Sequence, residues 1–260
     1  MKQVSNNFDD ALHFLTLSED GSYTAYSKEY DEHYHSTRDG ALKESLKKHV
    51  IPAFSVLEST TVCILDICYG LGFNTLATLL YRDENFPNKK VKIYSPELDA
   101  SLVKSLESFE YPELFNKYKN IITALSQRGV YEDENTYIEL FLGDAREYVR
   151  KFENQFHIVY QDAFSPSANP QLWTKEYFSD IAKSMKEEGV LTTYSISLKT
   201  RLALYENGFN LYLNSGKDFR DATVASFVSL KNFKLIDMPH KISCNPDVTP
   251  LRDEICKNFS

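Results

Sequence analysis

Long hydrophobic runs are missing from this sequence. No apolar stretch in its 260 residues approaches the roughly 20 that span a bilayer. The opening, MKQVSNNFDD, lacks the apolar middle of a secretory signal, so a cytoplasmic location is expected. Cysteine is scarce. Cys63, Cys68, Cys244 and Cys256 show no metal-ligand spacing and read as reduced thiols in a cytosolic protein. Cys63 and Cys68 lie in or beside an apolar run and are expected to be small core residues. There is no internal repeat, low-complexity tract or Pro/Gly/Ser linker. HExxH, GxxxxGK[ST] and a Ser-His-Asp spacing are also absent, which removes the common zinc-protease, phosphate-loop and serine-hydrolase readings. His33 and His35 stand two apart in EHYHS without further ligands, and a metal site needs three or four donors. Positive charge is in deficit: 29 Lys and Arg against 37 Asp and Glu give a net charge of −8. That charge argues against coating of nucleic acid by bulk electrostatics and does not exclude a local basic face. Lys43, Lys47 and Lys48, then Lys89, Lys90 and Lys92, then Lys217 and Arg220 form such clusters, and each reads as a solvated helix face or loop.

What is present is a regular alternation. Hydrophobic content of 42% and charged content of 25% fit a globular chain with a sizeable core. The first sixty residues are an extension rich in Tyr, Ser and acids, with Asp20-Gly21 as a turn between short strands. In ALKESLKKHVIPAF, Ala41, Leu42, Leu46 and Val50 recur at helical spacing, predicting a helix that ends near Pro52. From residue 61 the strands TVCILDI, VKIYS, YIELFLG, FHIVYQD and VLTTYS alternate with helices. The helices are FNTLATLLY, a region after Asp99, DAREYVRKF, LWTKEYFSDIAKSMKE and SLKTRLALYENG, the last closed by Gly208. FNLYLNSG and TVASFVSL follow as an antiparallel pair. The expected division is residues 1–60 as an extension packed on a core formed by residues 61–260. The fold class is α/β, with a mostly parallel sheet covered by helices on both faces. Such sheets bind ligands beyond the C-terminal strand ends, at the switch in strand order.

That end of the sheet carries acids. The first strand runs into DICYGLGFN, where Gly70 and Gly72 open a helix and leave its N–H groups free for a ligand. This glycine pattern alone is shared with nicotinamide and flavin proteins. Four strands end on acids: Asp66, Glu97, Asp144 and Asp162. Glu97 is placed to accept from two ribose hydroxyls and Asp144 from an adenine amino group, although Asp144 could equally cap its helix. A ring of carboxylates repels a pyrophosphate. It favours a cation, because opposite charges at about 4 Å gain several kcal/mol in a partly buried site. S-adenosylmethionine carries a ribose, an adenine, an ammonium and a sulfonium, and no phosphate.

Asp162 ends the fourth strand, beside the switch point. A carboxylate there can hold an amine nucleophile and accept its proton, and the backbone carbonyls of the following AFSP loop can help to orient it. Phe164 is a candidate wall of the site that stacks on a base, and Trp173 is expected to anchor a helix in the core.

In order along the chain, GSYTAYSKEYDEHYHSTRDGALKES, DICYGLGFN, YQDAFSPSANPQLWTKEYF and GVLTTYSISLKTRLALYENGF closely resemble the methyltransferase domain of MnmC-type proteins in its standalone form, MnmD. The resemblance runs over roughly residues 8–230, and its most specific element is the D-A-F-S-P-x-x-N-P-x-L-W-T block. It implies a class I, Rossmann-like methyltransferase using S-adenosyl-L-methionine. It also implies a tRNA substrate, whose wobble 5-aminomethyl-(2-thio)uridine becomes the methylaminomethyl nucleoside. By the family pattern, Asp162 meets the target amine. Asp66, Gly70, Gly72, Asn74, Glu97, Asp144, Ala145 and Asp162 fall on cofactor-lining positions, and Tyr26 falls in the segment that covers the cofactor. Phe164, Lys217 and Arg220 are the substrate-side candidates. Two-domain members add a flavin-dependent oxidase. No second domain fits here, so no FAD is expected, and another route must supply the free amine. Two departures stand out. Cys68 replaces a glycine of the turn, and SGKDFRDATV replaces a more basic stretch. A polyamine aminopropyltransferase and a silent cofactor-binding protein remain as alternative readings.

Overall fold

The computed structural model describes Phe8 and residues 13–256, the last two by their backbone alone. Its described residues form two sheets. The small sheet is antiparallel and comprises β1 (His13–Leu17), β2 (Tyr23–Ser27) and β3 (Glu32–His33), with Tyr26 opposite His33. The turn expected at Asp20-Gly21 joins β1 to β2, and Asp20 accepts from the Ser22 N–H at 2.9 Å.

The helix expected at ALKESLKKHVIPAF is present but not uniform. α1 (Ala41–Glu44) and α2 (Ile51–Phe54) flank a π-helical turn, Ser45–Val50, in which the Ile51 N–H reaches back five residues to the Leu46 carbonyl. Pro52 therefore lies inside the helical segment rather than ending it. Its missing N–H would have served Lys47 in the π register, and the Lys47 carbonyl instead accepts from Asn214 Nδ2 at 2.9 Å. Single π turns of this kind occur disproportionately at functional sites.

The large sheet contains β4 (Thr61–Ile67), β5 (Lys90–Glu97), β6 (Val130–Glu132), β7 (Thr136–Leu142), β8 (Phe156–Gln161), β9 (Met185–Thr193), β10 (Asn210–Asn214), β11 (Ala222–Ser226) and β12 (Lys234–Leu235). Its order is β12-β10-β11-β9-β8-β4-β5-β7-β6. β7, β5, β4, β8 and β9 are mutually parallel, and β11 and β10 add the expected antiparallel pair. The short edge strands β6 and β12 carry no alternating pattern of their own and were not foreseen. The helices α3 (Phe73–Asn85), α4 (Ala100–Ser105), α5 (Lys119–Arg128), α6 (Ala145–Val149), α7 (Lys175–Ser184) and α8 (Leu198–Tyr205) fall between strands, and α9 (Met238–Ser243) and α10 (Asp253–Cys256) follow the last one.

α7 is shorter than expected at both ends. Leu172 and Trp173 belong to a preceding 3-10 turn, Thr174 Oγ1 caps the helix by accepting from Tyr177 N–H at 3.1 Å, and Met185 already starts β9. Period-two burial explains the two-sided core. Val62 and Ile64 of β4 enter one apolar cluster, while Leu65 and Ile67 enter the other. Each such side chain contributes about 1.5–3 kcal/mol by leaving water. Of the lysine clusters, one differs from its solvated reading. Lys48 is buried, held by Glu44 at 2.6 Å and Asp39 at 3.4 Å. The chain crosses from β4 to β5 on one side and later returns from β7 to β8 on the other side of β4, and the crevice at this reversal lies beyond the C-terminal strand ends.

Candidate active site

A cavity of about 890 Å³ occupies that crevice. Its floor is the turn after β4, where the backbone passes through three left-handed residues: Cys68 at φ 63°, Gly70 at φ 53° and Gly72 at φ 75°. The space explains two of them. A Cβ on Gly70 would lie 3.1 Å from the Tyr34 ring, and one on Gly72 would lie 2.6 Å from the Tyr69 hydroxyl. Cys68 carries a Cβ in the same region of conformational space, which L-residues rarely adopt. Burial, followed by Glu97 and Asp162, pushes its thiol well above the ordinary value, so it is no nucleophile.

Glu97, at the end of β5, accepts from the Gly70 N–H at 2.8 Å with one oxygen and from Leu98 and Asp99 N–H with the other. Burial raises its pKa, and these three donors draw it back. Oε2, which accepts only one bond, keeps a lone pair for a ligand hydroxyl. Asp144 caps α6 by accepting from Arg146 N–H at 2.6 Å with Oδ1, and it also lines the cavity. The cap and the ligand-facing readings are therefore compatible. Ala145 lines the cavity beside it.

Asp162 lies just past β8 with its carboxylate nearly buried, 9% exposed. Asn74 Nδ2 donates to Oδ2 at 2.9 Å, and His49 Nε2 stands 3.3 Å from Oδ1, within ion-pairing reach but out of hydrogen-bond alignment. Burial alone would raise the pKa of Asp162. His49, then His35 and the Asn74 amide, outweigh it and hold the carboxyl well below the usual range.

The loop 163–173 is tied down from three sides. Tyr194 Oη donates to the Ala163 carbonyl at 2.9 Å, Trp173 Nε1 donates to the Phe164 carbonyl at 2.7 Å, and Glu32 accepts from Ser165 N–H at 2.9 Å and from its hydroxyl. Trp173 is fully buried, the core anchor expected. Phe164 lines the cavity and stacks on Tyr30, with ring centroids 4.5 Å apart at 20°.

Several expectations change. Asp66 does not belong to the acid ring. It is buried beneath the glycine turn, accepts from Thr75 Oγ1 at 2.9 Å and is not among the cavity's lining residues; burial pushes its pKa up to about 7. Glu97, Asp99, Asp144 and Asp162 line it from the strand ends, with Asp99 in place of Asp66, and Glu29, Glu32 and Glu44 line it from the N-terminal segment. Gly72 shapes the turn without reaching the cavity. Tyr26 turns away and donates to Asp31, while Tyr30 and Tyr34 of the same segment face the cavity. The Ala163 and Phe164 carbonyls, expected near an amine, hold the loop together instead. Lys217 and Arg220 are exposed on the loop between β10 and β11, outside the cavity. His33 is exposed and His35 buried, and no group of three His, Cys, Asp or Glu among the described residues could hold a metal.

His49 is the principal residue that sequence reasoning missed. The signal was available: it follows Leu42 by seven and Leu46 by three, so it lies on the helix's apolar stripe. The cleft is negative from several directions. Nearby carboxylates add to burial in raising Tyr30, pushed up to about 12, and in raising Tyr194 and Cys68. An acidic, phosphate-repelling lining of this size fits S-adenosyl-L-methionine rather than a dinucleotide.

Comparison with known proteins agrees. A family of S-adenosyl-L-methionine-dependent methyltransferases matches residues 110–226. The solved structure of MnmC2 from Aquifex aeolicus superposes with a TM-score of 0.80 at 32% identity, covering 94% of this chain and 79% of that one. An uncharacterized protein of Methanocaldococcus jannaschii is 33% identical over 76% of this chain and 54% of its own length. The bifunctional protein MnmC for tRNA 5-methylaminomethyl-2-thiouridine biosynthesis from Leptospira interrogans (serovar copenhageni) is 25% identical over 74% of this chain. The chain thus spans about half of the archaeal relative and 32% of that MnmC. Spermidine synthase from Thermotoga maritima, at a TM-score of 0.53 and 18% identity, shares the fold alone.

Proposed function

The chain belongs to the MnmC-type methyltransferase domain family, whose members are S-adenosyl-L-methionine-dependent methyltransferases, and from that premise we propose that it N-methylates 5-aminomethyl-(2-thio)uridine at the wobble position of tRNA, giving the 5-methylaminomethyl nucleoside. The observation that carries this reading is the ionised Asp162, held by Asn74 at the wall of an acid-lined cavity and at the switch point of the sheet. When bound, S-adenosyl-L-methionine supplies an electrophilic methyl group on a sulfonium. Glu97 is then the acceptor for the ribose hydroxyls, Asp144 and Ala145 lie at the adenine, and Gly70 and Asn74 let the backbone and the helix entry come close. Asp162 holds the aminomethyl nitrogen by charge and orients its lone pair, for which positioning is the main lever. Phe164 and Tyr30 form the aromatic wall against which a splayed-out uracil stacks. The basic side chains Lys217 and Arg220 are offered to the RNA backbone outside the cavity. In this reading the described part of residues 1–60 is a cover over the core, residues 1–7 and 9–12 of the expected extension lying outside the described residues, and the protein works in the cytoplasm without FAD. Among the described residues, no helix is long and apolar enough to cross a membrane.

The test is nucleoside analysis of tRNA from cells lacking the protein. Accumulation of 5-aminomethyluridines with loss of the methylaminomethyl form is expected. An unchanged nucleoside profile would refute the proposal. An aminopropyltransferase shares the fold and amine chemistry, and turnover of putrescine by the purified chain would favour it instead.

A further inference from the structure

The π-helical turn Ser45–Val50 brings His49, fully buried, against the face of Asp162 that looks away from the cavity. Its Nε2 is 3.3 Å from Asp162 Oδ1, its Nδ1 is 3.0 Å from Thr192 Oγ1 on β9, and its ring meets Tyr160 edge-on at 5.8 Å. Nothing in the proposed amine chemistry requires a histidine there, and a buried imidazole between a carboxylate and a hydroxyl is a poor packing choice for a core. Building on the function proposed above, we infer that His49 is a positioning residue that acts through Asp162 and stores the proton the substrate must lose before it can be methylated.

Proton arithmetic makes a second group necessary. An alkylammonium with a pKa of about 10 yields its proton to an ordinary carboxylate about once in 10⁶ and to an imidazole about once in 3 × 10³. Asp162 is no better than ordinary, because the Asn74 amide that donates to it favours the charged form. It therefore attracts an ammonium well and keeps a proton badly. With Nδ1–H donated to Thr192, the Nε2 lone pair faces Asp162. The step is then balanced. An N–H bond of the ammonium breaks, the proton crosses an Asp162 oxygen, and, as the imidazole turns into line with Oδ1, an N–H bond forms on His49 Nε2. The amine is left neutral, Asp162 remains a carboxylate, and an imidazolium stands behind it with the positive charge the substrate gave up. After methyl transfer the product leaves as an ammonium, and the imidazolium proton returns through Asp162 as the cavity refills with water. The other groups facing His49 shape this balance: Asp66 from β4, His35 from the segment before α1, Asn74 from α3, and the Glu44–Lys48 pair on its own helical segment. Burial lowers the pKa of His35, and Asp162 and Glu44 oppose that shift.

The test uses wild type and His49→Gln, with Thr192→Val as a milder second variant. The first readout needs no substrate: pH titration of the Asp162 carboxyl carbon signal by NMR. Protonation at a higher pH in His49→Gln than in wild type is expected, and coincident curves would overturn the pairing. The second is steady-state kinetics on an anticodon stem-loop RNA carrying 5-aminomethyluridine, with cofactor affinity followed by calorimetry. His49→Gln is expected to lose roughly 100-fold in kcat near pH 7, the low end for removal of a proton-transfer group, with KM nearly unchanged. The deficit shrinks toward about threefold as the pH nears the amine pKa of about 10, because the substrate then arrives neutral. A purely structural role predicts a deficit independent of pH and overturns the inference. Should His49→Gln fail to bind cofactor, Thr192→Val decides, with a smaller deficit of the same pH dependence expected and a flat one contradictory. If wild type itself leaves this RNA unmethylated, the proposed substrate is wrong, and the carboxyl titration still decides whether His49 and Asp162 form one unit.

Discussion

At the cofactor end of the cleft, the polar groups come from strand ends around one glycine turn, and most of their bonds are to backbone N–H groups: Glu97 to Gly70, Leu98 and Asp99, and Asp144 to Arg146. At the amine end, Asp162 and the loop after it are met by side chains from the far end of the chain: His49 on the carboxylate, Tyr30 on Phe164, and Glu32 on Ser165 across 133 residues. The first arrangement holds a ligand with main-chain geometry that tolerates little change. The second assembles chemistry from an added segment, and it can be altered without dismantling the sheet. In the proposed reading, a methyl donor common to many enzymes and an amine peculiar to one substrate call for this division.

Substitutions can break the comparison, taken here from the largest expected effect. Asp162→Asn keeps the Asn74 contact and removes the charge. It is expected to lower methyl transfer about 10³-fold while cofactor affinity by calorimetry stays within about threefold. A comparable loss of both would mean that the two ends are not separable. Glu97→Ala acts in the opposite sense, weakening cofactor binding roughly 10- to 100-fold, the worth of one or two charge-assisted hydrogen bonds, with kcat at saturating cofactor largely kept.

The buried acids supply a pH test. Asp66 takes its proton near 7 in the fold and near 4 in the unfolded chain, so the folded state binds more protons between those values. Its contribution to stability is present below about pH 4 and is lost as the pH rises through about 7, by at most about 1.4 kcal/mol per pH unit. Asp162 has the opposite sign. Its folded pKa is depressed, so its contribution is present above about pH 4 and lost in acid. Urea unfolding of wild type and Asp66→Asn from about pH 4.5 to 7.5 should give a flatter pH dependence for the variant, and parallel curves would deny the shift. The smallest effect is reserved for Cys68→Gly. Removing a Cβ at positive φ in the cavity lining should tighten cofactor binding by about threefold, roughly 0.6 kcal/mol. Weaker binding would show that the thiol contributes contact rather than crowding.

Much of the cofactor end was legible in the sequence because its parts are local. A buried apolar run, two glycines and an acid at each strand end are adjacent in the chain, and strand-helix alternation places them on one edge of the sheet. The error there, Asp66, arose because strand-end position does not say which way a side chain turns. Asp66 points inward to Thr75 and lies beneath the crevice rather than in it. The amine end was legible only at Asp162 and Phe164. Tyr30, Glu32, His35 and His49 sit in a segment whose docking depends on tertiary packing, and a π-helical turn, invisible to a 3.6-residue period, sets where His49 points. The placement of Tyr26 failed for the same reason. The strand alternation was right about β2, yet the residues reaching the cavity are Tyr30 and Tyr34, around the turn into β3.

The central claim is that a sulfonium donor sits in a negatively lined cleft and that Asp162 directs an amine at its methyl group. The most direct measurement incubates the purified protein with labelled S-adenosyl-L-methionine and tRNA bearing wobble 5-aminomethyl-2-thiouridine, followed by mass analysis of the released nucleosides. The prediction is one added methyl group on the aminomethyl nitrogen in wild type and almost none in Asp162→Asn. Label on a ring or ribose position, or equal transfer by the two proteins, would contradict it.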